Sequence, residues 1–171
     1  MKVSNTLTVL ALALVHLTLL KTTVTAQNLA KGKSATLTSI YPHTPAPVEN
    51  CFDGDYWANK HENCCLTAKE VNPGVTVDLE AVYHVLMIAV INRENMLYEK
   101  LAGSELRVGN STDPLDNLSC GVVVDDGGFY DCDVWGRYVT LRRTTNVNNF
   151  FNVGEISVWA QKNICPKGVA S

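Results

Sequence analysis

After its first 26 residues the sequence has no second long apolar run, so nothing downstream supplies the roughly 20 residues that a membrane-spanning helix needs. It has no excess of positive charge: 14 Lys and Arg stand against 17 Asp and Glu. Bulk attraction to nucleic acid or to an anionic membrane is therefore not expected. No stretch sustains a helical apolar period over three turns with caps, which points away from a helical fold. No internal repeat, coiled coil or long linker divides the chain. Catalysis finds no support either. There is no nucleophile-elbow Ser, and none of His43, His61 and His84 has a paired nucleophile at a recognisable spacing. The sequence is read as non-enzymatic.

What is present begins with a secretory signal. Lys2 gives a positive start, Leu7 to Leu20 an apolar core, and Val24 and Ala26 small residues at a cleavage site. Cleavage removes 26 of 171 residues and leaves 145, the size of one domain. Lys2 and Lys21 go with it, so 12 basic residues remain against 17 acidic ones. The expected product is a secreted, extracellular protein: signal peptide 1–26, one domain over 27–165 and a tail over 166–171.

Six cysteines follow the signal: Cys51, Cys64, Cys65, Cys120, Cys132 and Cys165. An even count in a secreted chain reads as disulfides. Cys120 and Cys132 close a short loop holding Gly127 and Gly128, the clearest bridge. Cys64 and Cys65 are adjacent, and bonding each other would form a strained eight-membered ring. Separate partners drawn from Cys51 and Cys165 are favoured. His61-Glu-Asn-Cys-Cys65 has zinc-type ligands, but an oxidising compartment favours bridged thiols. Asn110-Ser-Thr and Asn117-Leu-Ser are glycosylation acceptors in a Pro- and Asp-containing loop, where a glycan would be solvated.

Short β-branched runs separated by turns fill the rest. Val75 to Leu79 alternates. Val85 to Ile91 is nearly continuous, as in a strand buried on both faces. Glu105 to Val108, Gly121 to Val124, Gly136 to Leu141 and Glu155 to Trp159 are further strands. Asn72-Pro-Gly74, Ala102-Gly103, Asp126-Gly-Gly128 and Asn146 to Asn149 give turns. Many short strands argue for an all-β antiparallel sandwich or barrel.

Two places carry candidate binding chemistry. Arg93 and Lys100 stand seven residues apart at the mouth of a turn after Val85 to Ile91, which suits a polar, neutral or anionic ligand. Asn50-Cys-Phe-Asp53-Gly-Asp55 gathers several oxygens within one turn, and Gly54 allows tight curvature. Calcium takes six to eight oxygens, many of them carbonyls, from such loops. An Asp-Gly alone is simply a turn.

The order of these landmarks resembles the F-type lectin (fucolectin) family. That family's signature is an Arg, one residue, an Asp, four residues, then Arg or Lys. Here it reads Arg93, Asn95, Lys100, so the cations match and the acid does not. Asn28-Leu-Ala-Lys-Gly-Lys-Ser-Ala-Thr36 resembles the opening strand, which discoidin-type domains share. Asn50 to Asp55, Asn72 to Leu79, Leu106 to Asn110, Cys120-Gly121, Cys132, Gly136 to Val139 and Gly154 to Trp159 continue in family order.

The resemblance implies a disulfide-stapled jelly-roll β-sandwich with a bound calcium ion and a shallow sugar site at one end. It implies calcium ligands at Asn50, Asp53, Asp55, Asn63, Gly154 and Glu155, where Gly154 replaces a family Cys but keeps its carbonyl. That Cys bridges the one aligned with Cys64, so the resemblance implies rewired disulfides here. The family's sugar-site His falls on Leu66, with His61 five residues early, and its vicinal Cys pair falls on Met96 and Leu97. Neutral Asn95 leaves more net positive charge, which favours a sulfated or sialylated ligand beside a fucosylated one. The expected function is calcium-stabilised binding of fucosylated or anionic glycans, or of glycoproteins, through an altered fucose site. A secreted matrix or adhesion scaffold without sugar binding is the rival, because fold does not fix function. Homo-oligomerisation, which raises avidity, stays open.

Overall fold

Two long antiparallel strands carry the fold. β4 (Gly74–Ile91) and β7 (Gly127–Arg143) pair along nearly their whole length, from Gly74 opposite Arg142 to Ile91 opposite Gly127. The coordinates are a computed structural model, which describes residues 27–43, 46–57, 61–93, 101–124 and 127–162. Residues 1–26, read above as a signal, residues 94–100 and Cys165 lie outside the described residues.

In the sheet, β1 (Ala35–Leu37), β4, β7, β5 (Ser104–Gly109) and β6 (Leu118–Val122) lie side by side. β10 (Glu155–Lys162) joins β4 further along the same edge that β1 occupies. Two two-residue pairings complete the described strands: β2 (Cys65–Leu66) with β9 (Asn152–Val153), and β3 (Glu70–Val71) with β8 (Asn148–Asn149).

The runs Val75 to Leu79 and Val85 to Ile91, separate in the sequence reading, are thus one strand. The pairing of β4 with β7 slips between Asp78 and Tyr83 and again between Val85 and Met87. Such bulges bend a strand and sharpen its twist. Here they let one ribbon serve both halves of the sandwich. Val75, Val77 and Leu79 before the bend share one buried cluster with Val85, Ile88 and Val90 after it. Leu106, Val108, Val139 and Leu141 join from the first half, Ile156 and Val158 from the second. Alternation with period two puts these residues inward and their neighbours outward. At the bend Asp78 accepts two hydrogen bonds from Arg137, from Nε at 2.6 Å and from a terminal nitrogen at 2.7 Å. This forked contact holds the Asp78 carboxyl below the usual carboxylate range.

Gly127 shows why a glycine must start β7. A Cβ there would stand 2.1 Å from the Val90 carbonyl oxygen, and φ is +114°. The strand expected over Gly121 to Val124 instead runs Leu118–Val122. β6 takes its register from β5, where Val108 pairs with Leu118, and no local pattern in the sequence shows that partner.

Two disulfides join described residues, Cys51–Cys65 and Cys120–Cys132. The second is the short-loop bridge expected. The first gives Cys65 a partner other than its neighbour and removes its thiolate from any zinc site. Cys64 is buried.

The two sequons differ. Asn110 is exposed, whereas Asn117 is only 5% exposed. Its Oδ1 accepts from the Ser111 amide at 3.0 Å and its Nδ2 donates to the Ser111 carbonyl at 2.9 Å. The expectation of a solvated side chain holds for Asn110 and fails for Asn117, because that amide ties its own loop together. A glycan on Nδ2 would displace this pair. In protein expressed through a secretory pathway we expect a glycan at Asn110 and none at Asn117. Glycopeptide mass spectrometry after enzymatic deglycosylation in heavy-oxygen water reads both sites, and full occupancy at Asn117 would overturn the assignment.

Candidate functional site

The candidate calcium residues come from four segments at one edge of the sandwich, with Asn63 on the 3₁₀ turn His61–Asn63. The 3₁₀ turn Val48–Cys51 carries Asn50, the following loop carries Asp53 and Asp55, and β10 opens with Glu155. The disulfide Cys51–Cys65 closes this loop onto β2. Inside it each acid folds the chain locally: Asp53 Oδ1 accepts from the Asp55 amide at 2.7 Å, and Asp55 Oδ1 from the Trp57 amide at 2.9 Å. Such side-chain-to-backbone bonds are what Asp offers a turn. Asn50 Nδ2 donates to the carbonyls of Glu62 at 2.6 Å and Cys64 at 3.2 Å. Asn63 Nδ2 reaches Asp55 Oδ2 at 3.4 Å.

Glu155 binds the loop to the sheet. It is fully buried, and its Oε2 accepts from the Gly54 amide at 3.1 Å. Its Oε1 accepts from Ser157 Oγ at 3.0 Å and Asn28 Nδ2 at 3.2 Å. Burial pushes this carboxyl up to about 7, and the charge of Asp53 adds to the rise, against the three hydrogen bonds that lower it. Gly54 has φ +81°, the left-handed region that favours glycine, and this turn carries its amide to Glu155.

These residues fit a hard, oxygen-seeking cation. A buried acid beside a second acid is the charge arrangement that a cation relieves, and no ion pair among the described residues involves Asp53, Asp55 or Glu155. Among the described residues no three His, Cys, Asp or Glu side chains gather as a metal site. The remaining donors would have to be amide and carbonyl oxygens, which calcium accepts readily.

Of the candidate sugar residues, Leu66 and Arg93 are described, and both stand beside one segment of the chain. β4 stops at Ile91, whose carbonyl accepts from the Gly154 amide at 2.9 Å. Asn92 is buried, and half-buried Arg93 follows, its amide donating to Asn92 Oδ1 at 2.8 Å. On the other side of the same segment, Leu66 pairs with Asn152. The positions of Leu66 and Arg93 therefore flank residues 152–154. Leu66 is only 3% exposed, an apolar core residue with no donor to offer. Asn95, Met96, Leu97 and Lys100 lie outside the described residues, and His61 opens the turn His61–Asn63.

Several neighbours were not singled out by sequence reasoning. Asn28 and Ser157 hold Glu155. Asn152 is fully buried, and neither polar atom of its side chain finds a hydrogen-bond partner among the described residues. The Tyr41 amide donates to the Leu66 carbonyl at 3.2 Å, and the Tyr41 ring meets His43 at 5.4 Å and Phe150 at 5.7 Å, both edge-on. Tyr41 is thus brought to Leu66, although it is 25 residues away in sequence. Only the folded segment 38–43, crossing β2, reveals this.

No protein-family model matches the chain. Among curated proteins, a pentraxin fusion protein of Xenopus laevis is 30% identical over 130 residues, covering 71% of this chain and 31% of that protein. Fucolectin-4 of Anguilla japonica is 29% identical over 104 residues, 56% of this chain and 58% of that one. The chain thus spans 31% and 58% of these two relatives' lengths. Among solved structures, an F-lectin from Morone saxatilis serum superposes with a TM-score of 0.72 at 29% identity, covering 80% of this chain and 49% of that one. A Streptococcus pneumoniae fucose-binding module at 16% identity shares the fold, with a TM-score of 0.68. The shared fold, the identity to fucolectins and the ordered landmarks from Asn28 to Trp159 support an F-type lectin family member.

Proposed function

We propose that this is a secreted, calcium-stabilised, non-enzymatic carbohydrate-binding protein with an altered fucose site. One observation carries the reading. The loop of Asn50, Asp53 and Asp55 is hydrogen-bonded to Glu155, in the strand that pairs with the end of β4 where Arg93 departs. A cation held there would neutralise the buried acid and stiffen the loop. Arg93, with Lys100, would supply donors to sugar hydroxyls or to an anionic group. The fucolectin names of its relatives support fucosylated glycans as ligands. The loss of a family acid at Asn95 supports anionic glycans beside them. Oligomerisation would raise the avidity of such a shallow site.

The test is a glycan array on the secreted protein, in calcium and in chelator, with Arg93→Ala beside wild type. We expect calcium-dependent signal on fucosylated or anionic glycans, weakened at least tenfold by Arg93→Ala, since a charged hydrogen bond contributes about 1.5–3 kcal/mol. The second reading, a scaffold without sugar binding, is favoured by one observation: buried Leu66 presents no donor where the family carries His. A silent array from folded protein would establish that reading and end the first.

A further inference from the structure

The outer face of the β10–β4–β7 sheet carries aromatic rings that the core does not use. Along β10, Ile156 and Val158 point into the core, so Trp159 points out. Along β7, Tyr130, Cys132 and Val134 pack inward, and Phe129, Asp131 and Trp135 point out. The register sets Trp159, Met87 and Asp131 in one row and Ser157, Ala89 and Phe129 in the next. Phe129 is 74% exposed, and its ring lies 6.2 Å from that of Trp159, over the buried Ala89. Further along β7, the ring of Trp135, 43% exposed, stacks on His84 at 4.7 Å and 8°. His84 Nε2 meets Asp133 Oδ1 at 2.6 Å. Asp131, between the two aromatic groups, is exposed.

We infer that this face is a second contact surface for glycan, on which the neutral sugar units behind the terminal one stack along β7. The inference rests on the function proposed above. A pyranose has an apolar C–H face that a ring such as Phe129 covers, and hydroxyls that a carboxylate such as Asp131 accepts. The face is covered at its β10 side, where Ser157 is buried and bonded to the Tyr56 hydroxyl at 3.2 Å, and lies exposed along β7 at Phe129 and Trp135, so a sugar chain would follow β7. Continuity supports it as well. Ala89 lies two residues from Ile91, so Phe129 sits about 7 Å along the strand from the end where Arg93 leaves. A glycan held at that end by its terminal sugar would run onto the rings. Charge decides against other occupants. Asp131 and Asp133 repel anionic sugars and acidic lipid surfaces. A two-fold contact between copies of the chain would bury like charges, which is costly.

The experiment is calorimetric titration of the secreted protein with free L-fucose and with the Lewis b oligosaccharide. Wild type, Phe129→Ala, Asp131→Asn and Arg93→Ala are compared, and circular dichroism checks that each is folded. Phe129→Ala is expected to leave the Kd for fucose within twofold and to weaken Lewis b about tenfold, with a smaller loss for Asp131→Asn. Arg93→Ala weakens both ligands. If Phe129→Ala weakens both ligands equally or neither, while Arg93→Ala weakens both, the face has no role and the end site stands alone. If folded wild type binds neither ligand, this inference falls, and the glycan array, which includes anionic glycans, decides the proposed function by itself. If Phe129→Ala instead dissociates a dimer in sedimentation without changing glycan affinity, the face is a self-association surface and the inference is overturned.

Discussion

In chelator, raising the pH from 5 to 8 lowers the unfolding free energy by up to about 3 kcal/mol. The cause is Glu155. Its ordinary value of 4.5 is raised by burial to about 7 in the folded chain. Between those values the folded state keeps a proton that the unfolded state has lost. The unfolded state binds fewer protons, so stability falls as pH rises through that window and levels off above 7. Asp78 and Glu105 act in a different window. Their carboxyls are lowered on folding, Asp78 chiefly by its bonds from Arg137 and Glu105 by those from Ser119 and Arg107 despite burial. Their contribution is lost only as pH falls below the ordinary carboxylate range. On the function proposed here, calcium reverses the Glu155 loss by binding the ionised acid, and it stabilises by mass action. Urea unfolding at pH 5 and 8, in chelator and in calcium, measures all four conditions. Glu155→Gln should flatten the chelator profile and blunt the calcium response. A flat wild-type profile in chelator would mean that Glu155 titrates normally and that the buried acid is not held as described.

The fold was more legible than the site, for a physical reason. Alternation along Val75 to Leu79 and the apolar run Val85 to Ile91 are local patterns, and both strands are there. Their fusion into β4 was not legible, because the link depends on Glu80 holding φ +68° while its amide bonds to Asp78. A non-glycine residue in that conformation carries no reliable sequence mark. Cys120–Cys132 was readable from a short loop with two glycines. Cys51–Cys65 was one option among several, since choosing it requires knowing that β2 lies against the turn Val48–Cys51. Asp53, Asp55 and Glu155 drew notice as acids, but the burial of Glu155 depends on Asn28 at the far end of the chain, 127 positions away. Tyr41 and Asn152 went unread because their approach to Leu66 is wholly tertiary.

Replacing Cys51 and Cys65 together by Ala is expected to remove about 3 kcal/mol of stability, a drop in Tm of about 10 °C. Their bridge spans 14 positions, and the unfolded chain regains the entropy of that loop when it opens. Replacing Cys120 and Cys132, 12 positions apart, should cost a similar amount by the same argument. The two variants should part over calcium. The Cys51–Cys65 loop contains Asp53, Asp55 and Asn63, whereas the Cys120–Cys132 loop contains none of the candidate ligands. Opening the first lets the acids move away from Glu155, so a cation must then repay the ordering of the loop before it stabilises the fold. The Tm gain from calcium should shrink sharply in Cys51→Ala/Cys65→Ala and persist in Cys120→Ala/Cys132→Ala. Thermal scans of the three proteins, with calcium and with chelator, decide this. An equal calcium gain in all three would show that the ion, if bound, is held by groups outside the loop. Asn50, Asp53 and Asp55 would then be turn-forming residues and nothing more.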